Sequence, residues 1–167
     1  MSSLDHLIAD EAEAVDTLDQ KHLTFQLGGE DYGIPIAAVI EILGIQPITD
    51  LPEVPHWVRG VVNLRGRVVP VMDVRLRFGM TPRDYDDRTC IVVANMNGEN
   101  VGLIVDAVRE VVSIPPDKVT PPPSVGSSQA NQYIHGLGML GDRVVILLDA
   151  ARLLYGDDQA RLQAALN

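Results

Sequence analysis

Four histidines, one cysteine and 23 acidic side chains are the material from which this 167-residue chain would have to build a catalytic or metal centre. His6, His22, His56 and His135 lie far apart, with none of the paired spacings that place two imidazoles on one ion, so no metal site is expected. Cys90 opens the apolar run Cys90-Ile91-Val92-Val93, where a thiol behaves as a small hydrophobe and not as a nucleophile. Asp73 and Asp149 suggest a carboxylate pair for acid–base work. Each, however, stands directly before a short helical stretch in the same local context, which points to two helix caps. Gly136-Leu137-Gly138-Met139-Leu140-Gly141 spells GxGxxG, yet it precedes a strand and opens no helix, so it is not a dinucleotide loop. Neither catalytic residues nor a cofactor are expected.

Composition narrows the partners. The net charge of −10 repels phosphate and anionic lipid, and aromatic residues at 4% offer few rings for base stacking, so nucleic acid binding is disfavoured. Hydrophobic residues at 46% and charged residues at 22% suit a chain with a real core. Runs such as Val144 to Leu148 fall far short of the roughly 20 residues that cross a bilayer. The first residues lack the basic and apolar regions of a secretory signal. With one cysteine and no possible internal disulfide, a cytoplasmic location is expected.

The elements that must position any site are short strands. Residues 3–20 carry Leu4, Leu7, Ile8, Val15 and Leu18 at loose helical spacing, and an acidic arm or short helix is expected over 1–21. From His22 the period changes to two, with Leu23, Phe25 and Leu27 alternating against Thr24 and Gln26. Strand runs follow at 23–27, 32–36, 39–45, 58–62, 67–71, 89–94, 101–105, 108–113 and 143–148, separated mostly by Gly, Asn, Asp or Pro. Leu162 and Leu166 predict a closing helix over 157–167.

Residues 24–79 and 93–156 read as two copies of one pattern. Gly29-Glu30-Asp31-Tyr32-Gly33-Ile34 matches Gly98-Glu99-Asn100-Val101-Gly102-Leu103. Ala38-Val39-Ile40-Glu41-Ile42 matches Ala107-Val108-Arg109-Glu110-Val111. Gly60, Arg67-Val68-Val69 and Asp73 match Gly136, Arg143-Val144-Val145 and Asp149. The second copy carries extra residues largely within 126–132, a loop insertion. Two halves of this size, rich in strands, predict an all-β chain of two small barrels related by internal pseudo-symmetry. Differences between the copies mark surfaces that the fold does not require. In the turn Asn63-Leu64-Arg65-Gly66 the first copy presents Arg65 where the second has Gly141. Arg65 either pairs with a neighbouring carboxylate, Glu41 being the candidate across a groove, or grips a partner. Trp57 is expected to be a core or lobe-packing residue and not a binding hot spot.

These motifs resemble the CheW family of bacterial chemotaxis coupling proteins. The resemblance rests on Tyr32-Gly33-Ile34-Pro35-Ile36, Val39-Ile40-Glu41-Ile42, Leu51-Pro52-Glu53-Val54-Pro55, Gly60-Val61-Val62-Asn63-Leu64-Arg65-Gly66, Val69-Pro70-Val71-Met72-Asp73-Val74-Arg75, Val101-Gly102-Leu103-Ile104-Val105-Asp106 and Gly136 to Asp149. It covers about residues 22–156, the expected domain. It implies two SH3-like five-stranded β-barrels with a groove between them and no catalysis. It implies an adaptor joining the cytoplasmic tips of methyl-accepting chemoreceptors to the histidine kinase CheA through that kinase's regulatory domain, recruited to membrane-associated arrays without membrane insertion. By the same resemblance Val39, Glu41, Gly60, Asn63, Arg65, Gly102 and Val111 line or support a receptor-facing groove, and Ile45, Ile48 and Leu51 belong to a kinase-facing surface. Pro35, where a polar residue is frequent, and the acidic arm depart from commoner members. CheW-like couplers also serve pathways controlling pili, surface motility or second messengers, and the sequence does not choose among these outputs.

Overall fold

The fold was taken from a computed structural model and is described for residues 18–122 and 132–155. The expected arm before residue 18, most of the loop insertion and the expected helix over 157–167 lie outside those residues. Among the described residues the strands are β1 (Lys21–Leu27), β2 (Glu30–Pro35), β3 (Val39–Gly44), β4 (Val58–Leu64), β5 (Arg67–Asp73), β6 (Cys90–Met96), β7 (Glu99–Val105), β8 (Ala107–Ser113), β9 (Val119–Thr120), β10 (Ile134–Leu140) and β11 (Arg143–Leu148). Two short helices, α1 (Val74–Arg77) and α2 (Ala150–Tyr155), follow β5 and β11. Asp73 and Asp149 cap them, accepting from the amides of Leu76 and Arg152 at 3.3 and 3.2 Å, so the duty read from the repeat is met at both places.

One sheet runs β8-β1-β2-β11-β10-β9 and the other β3-β6-β7-β5-β4. The repeat is visible down to single pairs. Val71 of β5 runs parallel to Gly102 of β7, and Leu147 of β11 runs parallel to Gly33 of β2. The chain beyond β3 curls back until Thr49 bridges Val61, as Thr120 of β9 pairs with Leu137. Each curl links the first strand of a sheet to its last and rounds the sheet into an SH3-like barrel.

The sequence halves and the structural lobes are nevertheless different units. Hairpin β1–β2 belongs to the first repeat but pairs with β8 and β11 of the second. Hairpin β6–β7 belongs to the second and pairs with β3 and β5 of the first. The two repeats exchange their opening hairpins, so each barrel needs both. The two barrels expected from the repeat are present, each assembled from strands of both copies, an exchange that alternation does not specify because it says which face of a strand is buried and leaves its neighbour open.

Burial follows the topology. Val62, Val69, Val71, Ile91, Val93 and Ile104 fill the first barrel, and Ile114, Val145 and Leu147 the second. The largest cluster lies between the sheets, with Leu23, Phe25, Ile34, Trp57, Met72, Leu103, Tyr133 and Leu153 among its members. At its centre the Arg77 guanidinium is stacked between Trp57 and Tyr133, 4.3 and 4.6 Å from their ring centroids, and its Nε donates to the Leu153 carbonyl at 2.8 Å. Trp57 and Tyr133 are repeat counterparts, and so are Arg77 and Leu153. The inter-lobe packing expected of Trp57 is thus joined by a buried cation that sequence reading did not single out.

Strand β10 is a second departure. Its glycine-rich string reads as a stretch preceding a strand, but it forms a strand itself, paired with β9 and β11.

Candidate functional site

Strand alternation brings Glu41 to the mouth of the first barrel. On β3 it pairs with Val93 of β6, and Leu43 pairs with Ile91, both partners being core residues of that barrel. Glu41 is therefore the outermost inward-facing residue of its strand. Opposite stands the two-residue turn between β4 and β5, where Arg65 and Gly66 have φ of +53° and +84°, the primed geometry that suits a tight hairpin. Asn63 braces the turn by accepting from the Gly66 amide at 2.9 Å. So held, Arg65 reaches back over the mouth and forks onto Glu41, NH1 to Oε1 at 3.0 Å and NH2 to Oε2 at 2.6 Å.

Of the two roles open to Arg65, the ion pair with Glu41 is realised. The pair still faces solvent, with 75% of the Arg65 side chain and 27% of Glu41 accessible. Hydrogen bonds from Arg65 hold the Glu41 carboxyl below the usual carboxylate range and raise the guanidinium in turn. Two of the five guanidinium donors face Glu41, so the same fork can serve a second acceptor. Beneath the pair lies a groove of about 260 Å³ lined by Ile40, Glu41, Leu64, Arg65, Arg67, Val69, Val93 and Asn100. It has an apolar floor, a charged rim, and no cluster of groups suited to bond-making.

The other candidate residues are distributed more widely. Val39 begins β3 beside Ala94 and packs on the inter-sheet core. Gly60, with φ +139°, is buried where Thr49 crosses β4, and a Cβ there would lie 2.0 Å from the Thr49 carbonyl oxygen. Gly102 sits inside the first barrel, where a Cβ would meet methyls of Ile91 and Val71 at 2.7 Å. Neither lines the groove. Val111 is 47% exposed on β8 in the other sheet, outside this groove. Ile45 and Ile48 pack their side chains on the core of the first barrel, and Leu51 is half-buried beyond the Thr49 bridge.

Ile40, 56% exposed on the rim, was missed. Its counterpart in the second repeat is Arg109, a departure of the same kind that drew attention to Arg65, so the signal was present. The second barrel's mouth is built differently. Glu110, the counterpart of Glu41, takes Arg143 at 2.9 Å, and Arg143 also reaches Asp31 at 3.1 Å. The pairing there comes from the strand itself and leaves the turn bare.

Among the described residues no three His, Cys, Asp or Glu side chains are arranged to hold a metal, and no helix is long and apolar enough to cross a membrane.

The description "CheW-like domain" matches residues 21–158 of this chain. The chain is 39% identical over 147 residues to the chemotaxis protein CheW of Klebsiella aerogenes, covering 88% of this chain and 89% of that protein. It is 33% identical to the protein PilI of Pseudomonas aeruginosa over 115 residues, covering 68% and 64% of the two chains. The solved scaffolding protein TtCheW of Thermoanaerobacter tengcongensis superposes with a TM-score of 0.76 at 34% identity, covering 83% of this chain and 94% of that one. With the doubled barrel, the braced arginine turn and these likenesses in agreement, the chain belongs to the CheW-like family of chemotaxis coupling proteins.

Proposed function

We propose that this protein is a cytoplasmic, non-catalytic adaptor that couples chemoreceptor tips to a histidine kinase of the CheA class. The observation carrying the receptor half is the fork of Arg65 and Glu41 over the apolar groove. A grip of this kind, repeated on no other hairpin turn of the described residues, suits the edge of a helical bundle that offers one apolar side chain beside a carboxylate or free carbonyl. Val39, Gly60, Asn63 and Gly102 act as its supports, and Val111 belongs to a separate contact.

The kinase half is assigned to the segment between β3 and β4. Since Ile45 and Ile48 pack on the barrel core, Leu51 is the residue through which this surface is best tested. A carboxylate forced into an apolar contact disrupts an interface core. Leu51→Asp should therefore fold normally and lose affinity for the kinase regulatory domain in titration calorimetry. Unchanged affinity of the folded variant would move the kinase to another surface. The function as a whole is tested with receptor-bearing vesicles and kinase, with and without this chain: kinase stimulation that needs the chain supports the proposal, and stimulation without it refutes it. A coupler of a non-flagellar pathway is the second reading, favoured by the likeness to PilI. The higher identity and fuller coverage of the chemotaxis relative favour the first.

A further inference from the structure

Four strand pairings assemble the two sheets: β1 with β8, β2 with β11, β3 with β6 and β5 with β7. Every one of them joins the chain before residue 79 to the chain after residue 89. Among the described residues, strands of the same half pair only as hairpins and in the curls at Thr49 and Thr120. The inter-sheet core is divided in the same way, with Phe25, Ile34 and Met72 from one half and Leu103, Tyr133 and Leu153 from the other. Each half therefore presents open strand edges and apolar faces shaped for the other half. Nothing in that surface requires its complement to belong to the same chain.

The halves are joined by one crossover, residues 79–89 between α1 and β6. It has slack. Asp73 and Cys90 stand opposite Ile104 and Val105 of β7, on either side of that strand, so they lie two strand spacings apart, roughly 10 Å. Extended, the crossover alone reaches roughly 36 Å. Residues 81–84 and 86–88 are exposed, and a few bonds hold the segment down. The Thr81 carbonyl accepts from Arg75 at 3.0 Å, Arg83 lies 3.3 Å from Asp106, and the Tyr85 hydroxyl donates to Asp73 at 2.8 Å. Asp86 folds the far end by accepting from the amides of Arg88 and Thr89 at 2.8 and 3.1 Å.

We propose that this crossover is a latch and that the partner fitted by each half is the complementary half of a second copy of this chain. With the latch closed, the tether keeps the two halves at high effective concentration, and the monomer forms. With it extended, two copies exchange halves and rebuild two complete double barrels, in which all four strand pairings survive and the closed crossover bonds alone are given up. The exchanged dimer carries two complete Arg65 grooves on one molecule. Interconversion requires all four pairings to break, so either form persists once folded. No receptor or kinase enters the argument, so the inference stands or falls apart from the adaptor reading.

Two experiments on the full-length chain test it. In the first, Val62→Asp spoils the first half of one copy and Val145→Asp the second half of another, each placing a carboxylate in a barrel core. Each copy alone should lack dispersed amide spectra. Mixed from urea, the intact halves should meet in an exchanged dimer. With the isotope label on the Val62→Asp copy, dispersed signals should then arise from residues after the crossover and not from those before it. No gain on mixing, or a gain in residues before the crossover, would overturn the proposal. In the second, the parent and the double variant Arg83→Ala with Tyr85→Phe, which loosens the latch and keeps the buried ring, are refolded at low and high concentration and measured by light scattering after dilution. The dimer fraction should rise with refolding concentration, persist on dilution and be severalfold larger in the variant. Monomer alone at every concentration, a dimer that falls apart at once on dilution, or equal fractions in parent and variant would each overturn it. This second experiment decides alone if either aspartate variant folds by itself.

Discussion

Arg65 occupies a backbone position that a side chain rarely adopts, φ +53°, while its repeat counterpart is Gly141 at φ +57°. The first repeat therefore keeps a strained residue where the second shows that glycine serves the turn. Retaining an arginine there is explained by what its guanidinium does and not by the hairpin's needs. Arg65→Gly should accordingly give a melting temperature unchanged or slightly raised, while receptor coupling is lost; a large fall in melting temperature would make the residue structural. Gly102 behaves oppositely. A methyl at this site overpacks Ile91 and Val71, a change that costs about 1–3 kcal/mol, so Gly102→Ala should lower stability in denaturant titration. Any coupling defect should follow the unfolded fraction. Gly60→Ala should be worse, since its Cβ would displace the Thr49 backbone and break the bridge to Val61.

Between elements, the corner after β7 is held by Asp106, which accepts from the Gly28 amide at 2.9 Å and from Arg75 Nε at 2.8 Å, with Arg83 at 3.3 Å. Burial works against its charge, but the bonds from Arg75 and Gly28 and the nearby Arg83 prevail, and its carboxyl titrates below the usual range. A carboxylate depressed on folding stabilises the protein above its unfolded pKa of about 3.9, and the benefit drains away as pH falls through the lower folded value. Asp106→Asn should be less stable at pH 7 by about 2–3 kcal/mol, the scale of charged hydrogen bonds. The gap should close below about pH 4, as followed by urea titration at stepped pH, and a gap independent of pH would contradict the assignment. At this scale the strands were largely legible, because period-two alternation and turn residues bracketed β1 through β8 and β11. β10 escaped because glycine removes the alternating side chains that the pattern depends on, and β9 because two residues carry no period.

For the molecule as a whole, the exchanged hairpins make the lobes interdependent. The repeat could be read from spacing, but the exchange could not, since the register of a hairpin says nothing about which sheet receives it. Likewise the candidate site was legible where the repeats differ at Arg65, while Ile40, missed, carried the same kind of difference against Arg109. It was less so where they agree, because Gly60 and Gly102 serve packing that looks alike in sequence whether or not a partner lies beyond. With the main core between the sheets and each barrel closed by the other repeat, heat should unfold the protein in one transition. Two fragments cut between Pro82 and Arg83 should each lack dispersed amide spectra alone and regain them on mixing. Two resolved calorimetric transitions, or one fragment folding alone, would contradict this.

The central claim is that the fork of Arg65 and Glu41 is kept for recognition, and a double-mutant cycle read on two observables tests it most directly. Arg65→Ala, Glu41→Ala and the double variant are compared for melting temperature and for receptor-dependent kinase stimulation in a reconstituted ternary complex. Exposed ion pairs contribute little to folding. All three variants should therefore melt within about 4 °C of the parent, a small shift for a chain of this size. Arg65→Ala should cut stimulation on the order of tenfold, with Arg65→Lys recovering only part because a point charge lacks the bidentate geometry. Strong non-additivity in the melting data, together with normal stimulation by the folded fraction, would show that the pair serves the fold and would contradict the account.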